Sequence, residues 1–265
     1  WEGRINRSDL KEVFGVSIPQ ASADIAQYQE VAGQSLPYDP KKKAYIASEE
    51  FVPALLKPDA HEYLAQLRLI EEGVLDKQKL WIDGPPPFAG VPSLNRQVEP
   101  GKLRKILRGI KNNYSVKVLY QSISREEPIW RGIVPHALCH DGFRWHVRAW
   151  CEVREQYRDF VFARILDIGE MEPRQPIGFP DLEWEQIVTM RIGPHPGLNE
   201  AASKAIEIDF GMKDGELHLQ TRANLSFYVE RRYGLDLDPE QVSPERQQIV
   251  LLNRNEVEEA RKVKS

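Results

Sequence analysis

Cysteine is scarce in this chain, at 2 in 265 residues, so no disulfide framework can hold it and a reducing, cytosolic compartment is the natural setting. Long apolar runs are also missing. The longest are a few residues, far below the roughly 20 that span a bilayer, and the opening WEGRINRSDL lacks the apolar region of a secretory signal. Membrane and secreted classes are excluded. Strong charge of one sign is absent too: 36 Lys and Arg against 40 Asp and Glu leave a formal net charge of -4. No P-loop, no GxSxG elbow and no dinucleotide fingerprint occurs, which removes the commonest nucleotide-dependent and hydrolytic enzymes. What is there is an ordinary globular composition, 41% apolar and 29% charged, with length for two or three domains. The chain opens on Trp1 rather than Met, which points to sequence, a helix for instance, preceding it.

Charge is unevenly distributed. Residues 101 to 175 carry 14 basic and 9 acidic side chains, whereas residues 176 to 265 carry 11 and 16. A partner with phosphates is most easily placed on the central segment, or on a local cluster such as Lys41, Lys42 and Lys43.

The first fifty residues read as two short helices and a hairpin. Ser8 is placed to cap a helix through Phe14, with Leu10, Val13 and Phe14 on one face and Gly15 ending it in the left-handed conformation. Ser17 opens a second helix with Gln20 three residues on, a capping-box spacing, and Pro19 is tolerated in a first turn that donates no intrahelical bonds. Ile18, Ala21, Ile25 and Tyr28 then form the buried stripe, which turns Gln20, Ala23, Asp24 and Gln27 outward. The stretch LPYDPKKKAYIAS follows as a hairpin with three lysines at its tip. Helix, glycine turn, capped helix and basic-tipped hairpin is the order of a winged helix-turn-helix. Ser17, Pro19, Gln20, Ser22, Ala23 and Gln27 are the candidates for contact in a major groove, and Lys41, Lys42 and Lys43 for contact with phosphates. Helix pairs of this kind also occur without DNA function, and three lysines at a tip also fit a solvated turn.

Asp59 and Gly73 bracket a connecting helix with Ala60, Tyr63, Leu64, Leu67 and Ile70 at helical spacing. Residues 84 to 100 hold five prolines and two glycines and read as an interdomain linker. A basic helix with Leu103, Ile106, Leu107 and Ile110 as its stripe comes next. From residue 114 the period changes to two: Val116, Val118, Tyr120, Ser122 and Ser124 alternate, and IWRGIVPHAL, FRWHVRAW and RDFVFARILDI follow as strands, with a tight turn at Asp141-Gly142. In the third, Phe143, Trp145, Val147 and Ala149 face one way and Arg144, His146, Arg148 and Trp150 the other. The second face is a cationic row. Like charges side by side on a strand repel unless an anion lies between them, so the row reads as a phosphate or polyanion site.

The tripeptide Trp145-His146-Val147 stands where WYL-domain proteins carry Trp-Tyr-Leu, flanked by VLYQS, RGIVPHAL and RDFVFARI. Together with FGVSIPQASADIAQY, LPYDPKKKAYIAS, GPHPGLNEAASKAIEIDFGM and LLNR, it gives the whole chain a resemblance to the regulators of bacterial phage-defence operons, the BrxR/CapW group found with BREX and CBASS systems. The resemblance implies an α+β multidomain fold: a winged helix-turn-helix at 1–58, a connecting helix and linker at 59–100, a central Sm-like β-barrel WYL domain at 101–180 and a C-terminal α/β dimerisation domain at 181–265. It implies a cytoplasmic, nucleoid-associated homodimer that binds double-stranded DNA at an inverted-repeat operator, acts as a repressor, needs no cofactor, and senses a nucleic-acid or nucleotide effector. The effector pocket it implies uses Tyr120, Ser122, Arg131, His136, Arg144, Trp145, His146, Arg148, Arg158 and Arg164.

An enzymatic alternative is a phosphodiester-processing site built from Ser122, His136 and His146 on the same domain, or an RNA-binding module there. His136, Cys139, His140, His146 and Cys151 invite a zinc reading but lack the paired spacing of a structural site. At the C-terminal end IVTMRI, AIEIDF and ELHLQTR read as strands and SFYVERRYG and NEVEEARKV as helices, with His195 in a rigid Gly-Pro-His-Pro loop in a structural role.

Overall fold

In the computed structural model, residues 1–76, 85–92, 94, 96–174 and 177–262 are described. Of the Pro-rich segment, Gly84, Ser93 and Asn95 lie outside them. The chain divides into two compact units, Trp1–Ser93 and Leu94–Ser265, and no helix among the described residues is long and apolar enough to cross a membrane.

The first unit runs β1 (Arg4–Ile5), α1 (Arg7–Phe14), α2 (Ile18–Ala32), β2 (Tyr38–Asp39), β3 (Ala44–Ile46) and α3 (Ala60–Glu71). Its three short strands form one antiparallel sheet in the order β1-β3-β2. The cap of α1 is Asn6, not Ser8: the Asn6 side chain accepts from the Ser8 and Asp9 N–H groups while Asp9 answers the Asn6 N–H, a reciprocal capping box. Gly15 ends the helix at φ 67°, as its position predicts. A small core of Ile25, Leu36 and Tyr45 holds Leu10 and Tyr28 against it. Val13, Phe14 and Ile18 stay outside that core, 48%, 56% and 41% exposed, so the buried stripes are narrower than their spacing predicts. In α3, Asp59 caps as expected and Leu67 is buried, whereas Leu64 is exposed.

The second unit opens on α4 (Pro100–Asn112), where Pro100 takes the first helical position and Glu99 caps it. Ile106 is fully buried and Leu103 and Ile110 pack beside it, but Leu107 is exposed. The helix covers a sheet of β4 (Tyr114–Tyr120), β5 (Ile129–His140), β6 (Trp145–Cys151), β7 (Gln156–Val161) and β8 (Ile165–Pro173) in the order β7-β6-β5-β4-β8. Consecutive β7 and β8 therefore occupy opposite edges. Flat, five strands would separate those edges by about 19 Å, yet only the turn Phe162–Arg164 joins them, and a 3-10 turn rises about 2 Å per residue. The sheet must curl to bring its edges together. No ladder joins β7 to β8 among the described residues, so the expected closed barrel is a curled, open sheet. Val116, Val118, Tyr120, Ile133, Val147, Ala149, Cys151 and Phe160 fill its inner face.

The rest is α5 (Leu182–Glu185), β9 (Ile187–Pro194), α6 (Glu200–Asp209), β10 (Leu217–Arg222), α7 (Ala223–Tyr233), β11 (Ile249–Leu251) and α8 (Arg254–Arg261), with a sheet in the order β10-β9-β11. AIEIDF is not a strand. It is the end of α6, whose cap Asn199 accepts from the Ala202 N–H; Ile206 and Phe210 pack on the core four residues apart, and Ile208, which made the segment look alternating, is exposed. His195 is buried, with Nε2 3.0 Å from the Pro239 carbonyl and Nδ1 accepting from the Gly197 N–H.

Candidate functional site

The exposed face of α2 is built by its cap and its stripe. Ser17 Oγ accepts from the Gln20 N–H at 3.3 Å, and Ala21 and Ile25 bury the opposite side. The capping box is only half made, because the Gln20 side chain turns outward: its Nε2 donates to Asp24 Oδ1 at 2.6 Å. Gln20, Ala23, Asp24 and Gln27, at i, i+3, i+4 and i+7, are all exposed. Ser22 differs, since its hydroxyl donates to the Ile18 carbonyl at 2.9 Å. Pro19 lies in the first turn as expected. Beyond the helix, β2 and β3 form the hairpin, with the Asp39 carboxylate accepting from the Lys41 and Lys42 N–H groups and Lys43 at φ 51°. Lys41, Lys42 and Lys43 are exposed at its tip. Arg7, which the sequence pattern did not single out, lies with its guanidinium 5.9 Å from the Tyr38 ring of β2.

The row on β6 is arranged otherwise than its alternation implies. Arg144, His146 and Arg148 do share a face, but His146 and Arg148 are buried, Arg144 is only partly exposed, and their anions come from the chain itself. Arg148, 3% exposed, donates Nε and Nη2 to the two oxygens of Asp181 at 2.7 and 2.8 Å, Nη2 also to Glu183 at 2.9 Å, and Nη1 to Asp159 at 3.3 Å. His146 Nε2 and Arg144 Nε meet the same oxygen of Asp141 at 2.8 and 2.9 Å, while its other oxygen accepts from the Phe143 and Arg144 N–H groups. The row is thus not the unpaired cation cluster its spacing suggests. Burial pushes the Asp141 and Asp181 carboxyls up, but the hydrogen bonds they accept, from His146 and the two N–H groups or from Arg148 and His136, bring both down to about 2. An ionised Asp141 can only accept, so His146 donates from Nε2. The ring of Tyr228 on α7 lies 5.0 Å from it. On the other face Val147 and Ala149 are buried as expected, but Phe143 and Trp145 are 66% and 51% exposed, so the core begins only at Val147.

The remaining pocket candidates fall into separate small groups and not one site. His136 shares Asp181 with Arg148, its Nε2 at 2.9 Å, and stands edge-to-face with the rings of Tyr157 and Trp184. Arg131 lies on the inner face, its guanidinium 5.6 Å from the Tyr120 ring and 5.9 Å from Phe160, with a buried Nε that has no partner. Tyr120 accepts from the Val161 N–H at 3.2 Å. Ser122 falls beyond the end of β4 and faces Ser124, so it is not a strand residue. Arg158 is exposed on β7, and Arg164 ends the turn before β8. Ser122, His136 and His146 do not form a common hydrogen-bonded set, since the two histidines are held by different carboxylates. No group of three or more His, Cys, Asp or Glu side chains is placed to hold a metal among the described residues. Cys139 lies 3.8 Å from Asp159, and burial pushes its thiol up, away from reactivity.

Residues 1–69 match the BrxR transcriptional regulator winged helix-turn-helix domain, 101–169 the WYL domain, and 187–257 the BrxR transcriptional regulator C-terminal dimerization domain. A winged helix, a WYL sheet and a dimerization module in that order define a WYL-class regulator. The relatives sharpen this. The chain is 35% identical over 260 residues to the DNA-binding transcriptional repressor CapW of Stenotrophomonas maltophilia, covering 98% of this chain and 87% of that one. It is 36% identical over 257 residues to CapW of Escherichia coli (97% and 86%) and 36% identical over 259 residues to CapW of Pseudomonas aeruginosa (98% and 87%). The chain belongs to the BrxR/CapW family of transcriptional regulators. The solved proteasome accessory factor B/C of Arthrobacter aurescens aligns with 64% of this chain and 27% of that one at 18% identity and a TM-score of 0.28, too distant a likeness to argue from.

Proposed function

We propose that the protein is a DNA-binding transcriptional repressor that acts as a homodimer on an inverted-repeat operator of a bacterial phage-defence operon, in the cytoplasm and on the nucleoid. The observation that carries this is the polar, outward face of α2 followed by a hairpin with three exposed lysines, the two parts a major groove and its flanking phosphates require. One such helix reads only a few base pairs, so two related by a dyad supply the specificity, and the match of residues 187–257 to a dimerization domain supports that arrangement. The functional division at residues 58, 100 and 180 belongs to the same reading. Duplex DNA selected from a random pool by the intact chain supplies the operator. Replacing Lys41, Lys42 and Lys43 with Ala lowers affinity for every sequence and flattens the slope of log affinity against log salt by about 0.9 per lost phosphate contact. An unchanged slope overturns the assignment of the hairpin.

The WYL sheet is the proposed effector site, separate from the operator surface. With the β6 row already neutralised, the reading rests on Arg131, whose guanidinium packs beside the Tyr120 and Phe160 rings with its buried Nε unsatisfied, and on the further arginines Arg158 and Arg164 of the same domain. Arg131→Ala is expected to bind operator as the wild type does and to lose any response to short single-stranded oligonucleotides or nucleotides. A response that survives in this variant removes Arg131 from the site.

A further inference from the structure

The helix placed to enter the groove carries no positive charge. Over Ile18–Ala32 the charged residues are Asp24 and Glu30 alone, and Asp24 stands in the middle of the exposed face. A carboxylate there is unfavourable near DNA, which carries about one negative charge per 1.7 Å of helix axis, unless it accepts a hydrogen bond that compensates. A helix-stabilising role does not account for it: an exposed Gln–Asp pair at i, i+4 contributes only about 0.2–0.5 kcal/mol, and Asp24 makes no salt bridge among the described residues. Its hydrogen bond with Gln20 has a second consequence. The 2.6 Å contact commits one Gln20 N–H to Asp24 and leaves the Gln20 amide oxygen and the other Asp24 oxygen as acceptors on an exposed face, beside the second Gln20 N–H. The outer edge of this pair is therefore rich in acceptors.

In the major groove only cytosine N4 and adenine N6 donate. Adenine N6 is flanked by two acceptors, its own N7 and the paired thymine O4, which repel a carboxylate, while the cytosine amino group has C5–H on one side and an acceptor, the paired guanine O6, only on the other. An acceptor-only side chain fits cytosine. We infer that Asp24 is a specificity-determining residue, reading a cytosine amino group in each half-site, with Gln20 holding it in position. Affinity then comes from the lysine hairpin and discrimination from a helix that is itself repelled by noncognate DNA.

This inference rests on the reading of α2 as the recognition helix. The test is to select duplexes from a random pool with the intact wild-type chain, Asp24→Ala and Asp24→Asn, and to measure affinity for the wild-type motif with each base replaced in turn. Asp24 is exposed, so both variants should melt as the wild type does. The expected result is a motif with one cytosine per half-site at which Asp24→Ala loses discrimination by roughly ten-fold or more, since a good direct contact is worth that much. Binding of Asp24→Ala to noncognate duplex should rise. Asp24→Asn, whose amide both donates and accepts, should shift that position toward adenine. A wild-type motif whose base preferences are the same in Asp24→Ala overturns the role of Asp24 and leaves the recognition helix standing. A wild-type chain that selects no sequence overturns the recognition helix itself, and this inference with it.

Discussion

Removing the Arg148 guanidinium should strongly destabilise the second unit. Arg148 and Asp181 are 3% and 5% exposed, and Asp159 and Glu183 complete the ring of oxygens. Arg148→Ala leaves three carboxylates facing one another around a cavity, the situation in which breaking a buried pair costs about 3–5 kcal/mol. The pH dependence identifies the cause. Asp181 is held at about 2 against an ordinary 3.8, and a depressed carboxylate adds stability that is complete above its unfolded pKa and lost as pH falls through its folded one. At about 1.4 kcal/mol per unit, that shift alone is on the order of 2 kcal/mol, or about half the expected loss. Urea unfolding followed by tryptophan fluorescence is suitable, because Trp130, Trp145, Trp150 and Trp184 all lie in this unit. The gap between wild type and Arg148→Ala should be several kcal/mol at pH 7 and shrink between about pH 4 and pH 2. A gap below 1 kcal/mol at pH 7, or one constant down to pH 2, refutes the reasoning.

Four further substitutions test local arguments. Asn6→Ala removes the side-chain half of the α1 capping box, leaving its backbone N–H bonded to Asp9, and should cost about 1 kcal/mol by calorimetry, whereas Ser8→Ala should cost far less. Gly109→Val should destabilise by about 1–3 kcal/mol, because a β-carbon there would come within 2.8 Å of the Val116 side chain and 3.0 Å of Pro135; an unchanged melting temperature would show that α4 lifts off the sheet freely. Asp141→Ala strands His146 and frees the turn after β5, at a cost of about 3 kcal/mol, and, as this carboxyl is held at about 2, the difference from wild type should again fade as pH drops from about 4 toward 2.

What could be read from the chain was local. Gly15, Ser17, Pro19 and the lysine hairpin follow from backbone rules that act within four residues, and the structure places them accordingly. The alternation on β6 correctly separated Arg148 from Val147. It could not show what covers each face, because Asp159, Asp181 and Glu183 are 11, 33 and 35 residues from Arg148. The same blindness to tertiary partners made Val13, Ile18 and Leu107 look buried. For α6 the error was of period: Ile206 and Ile208 suggested a strand, while Asn199 upstream was the helix signal.

The β6 network also constrains how the second unit can respond to an effector. Asp181 is at once the partner of Arg148 and His136 and the cap of α5, accepting from the Trp184 N–H, and a single residue, Gln186, separates α5 from β9. The Arg148 fork fixes orientation as well as distance, since two nitrogens meet two oxygens. Leaving either partner buried without the other costs about 3–5 kcal/mol, whereas the effector proposed above, if its coupling is ordinary, supplies about 1–3 kcal/mol. Such an effector would not separate them while both stay buried. On the effector reading proposed above, the WYL sheet, α5 and the start of β9 are therefore expected to keep this ion pair and respond as one body.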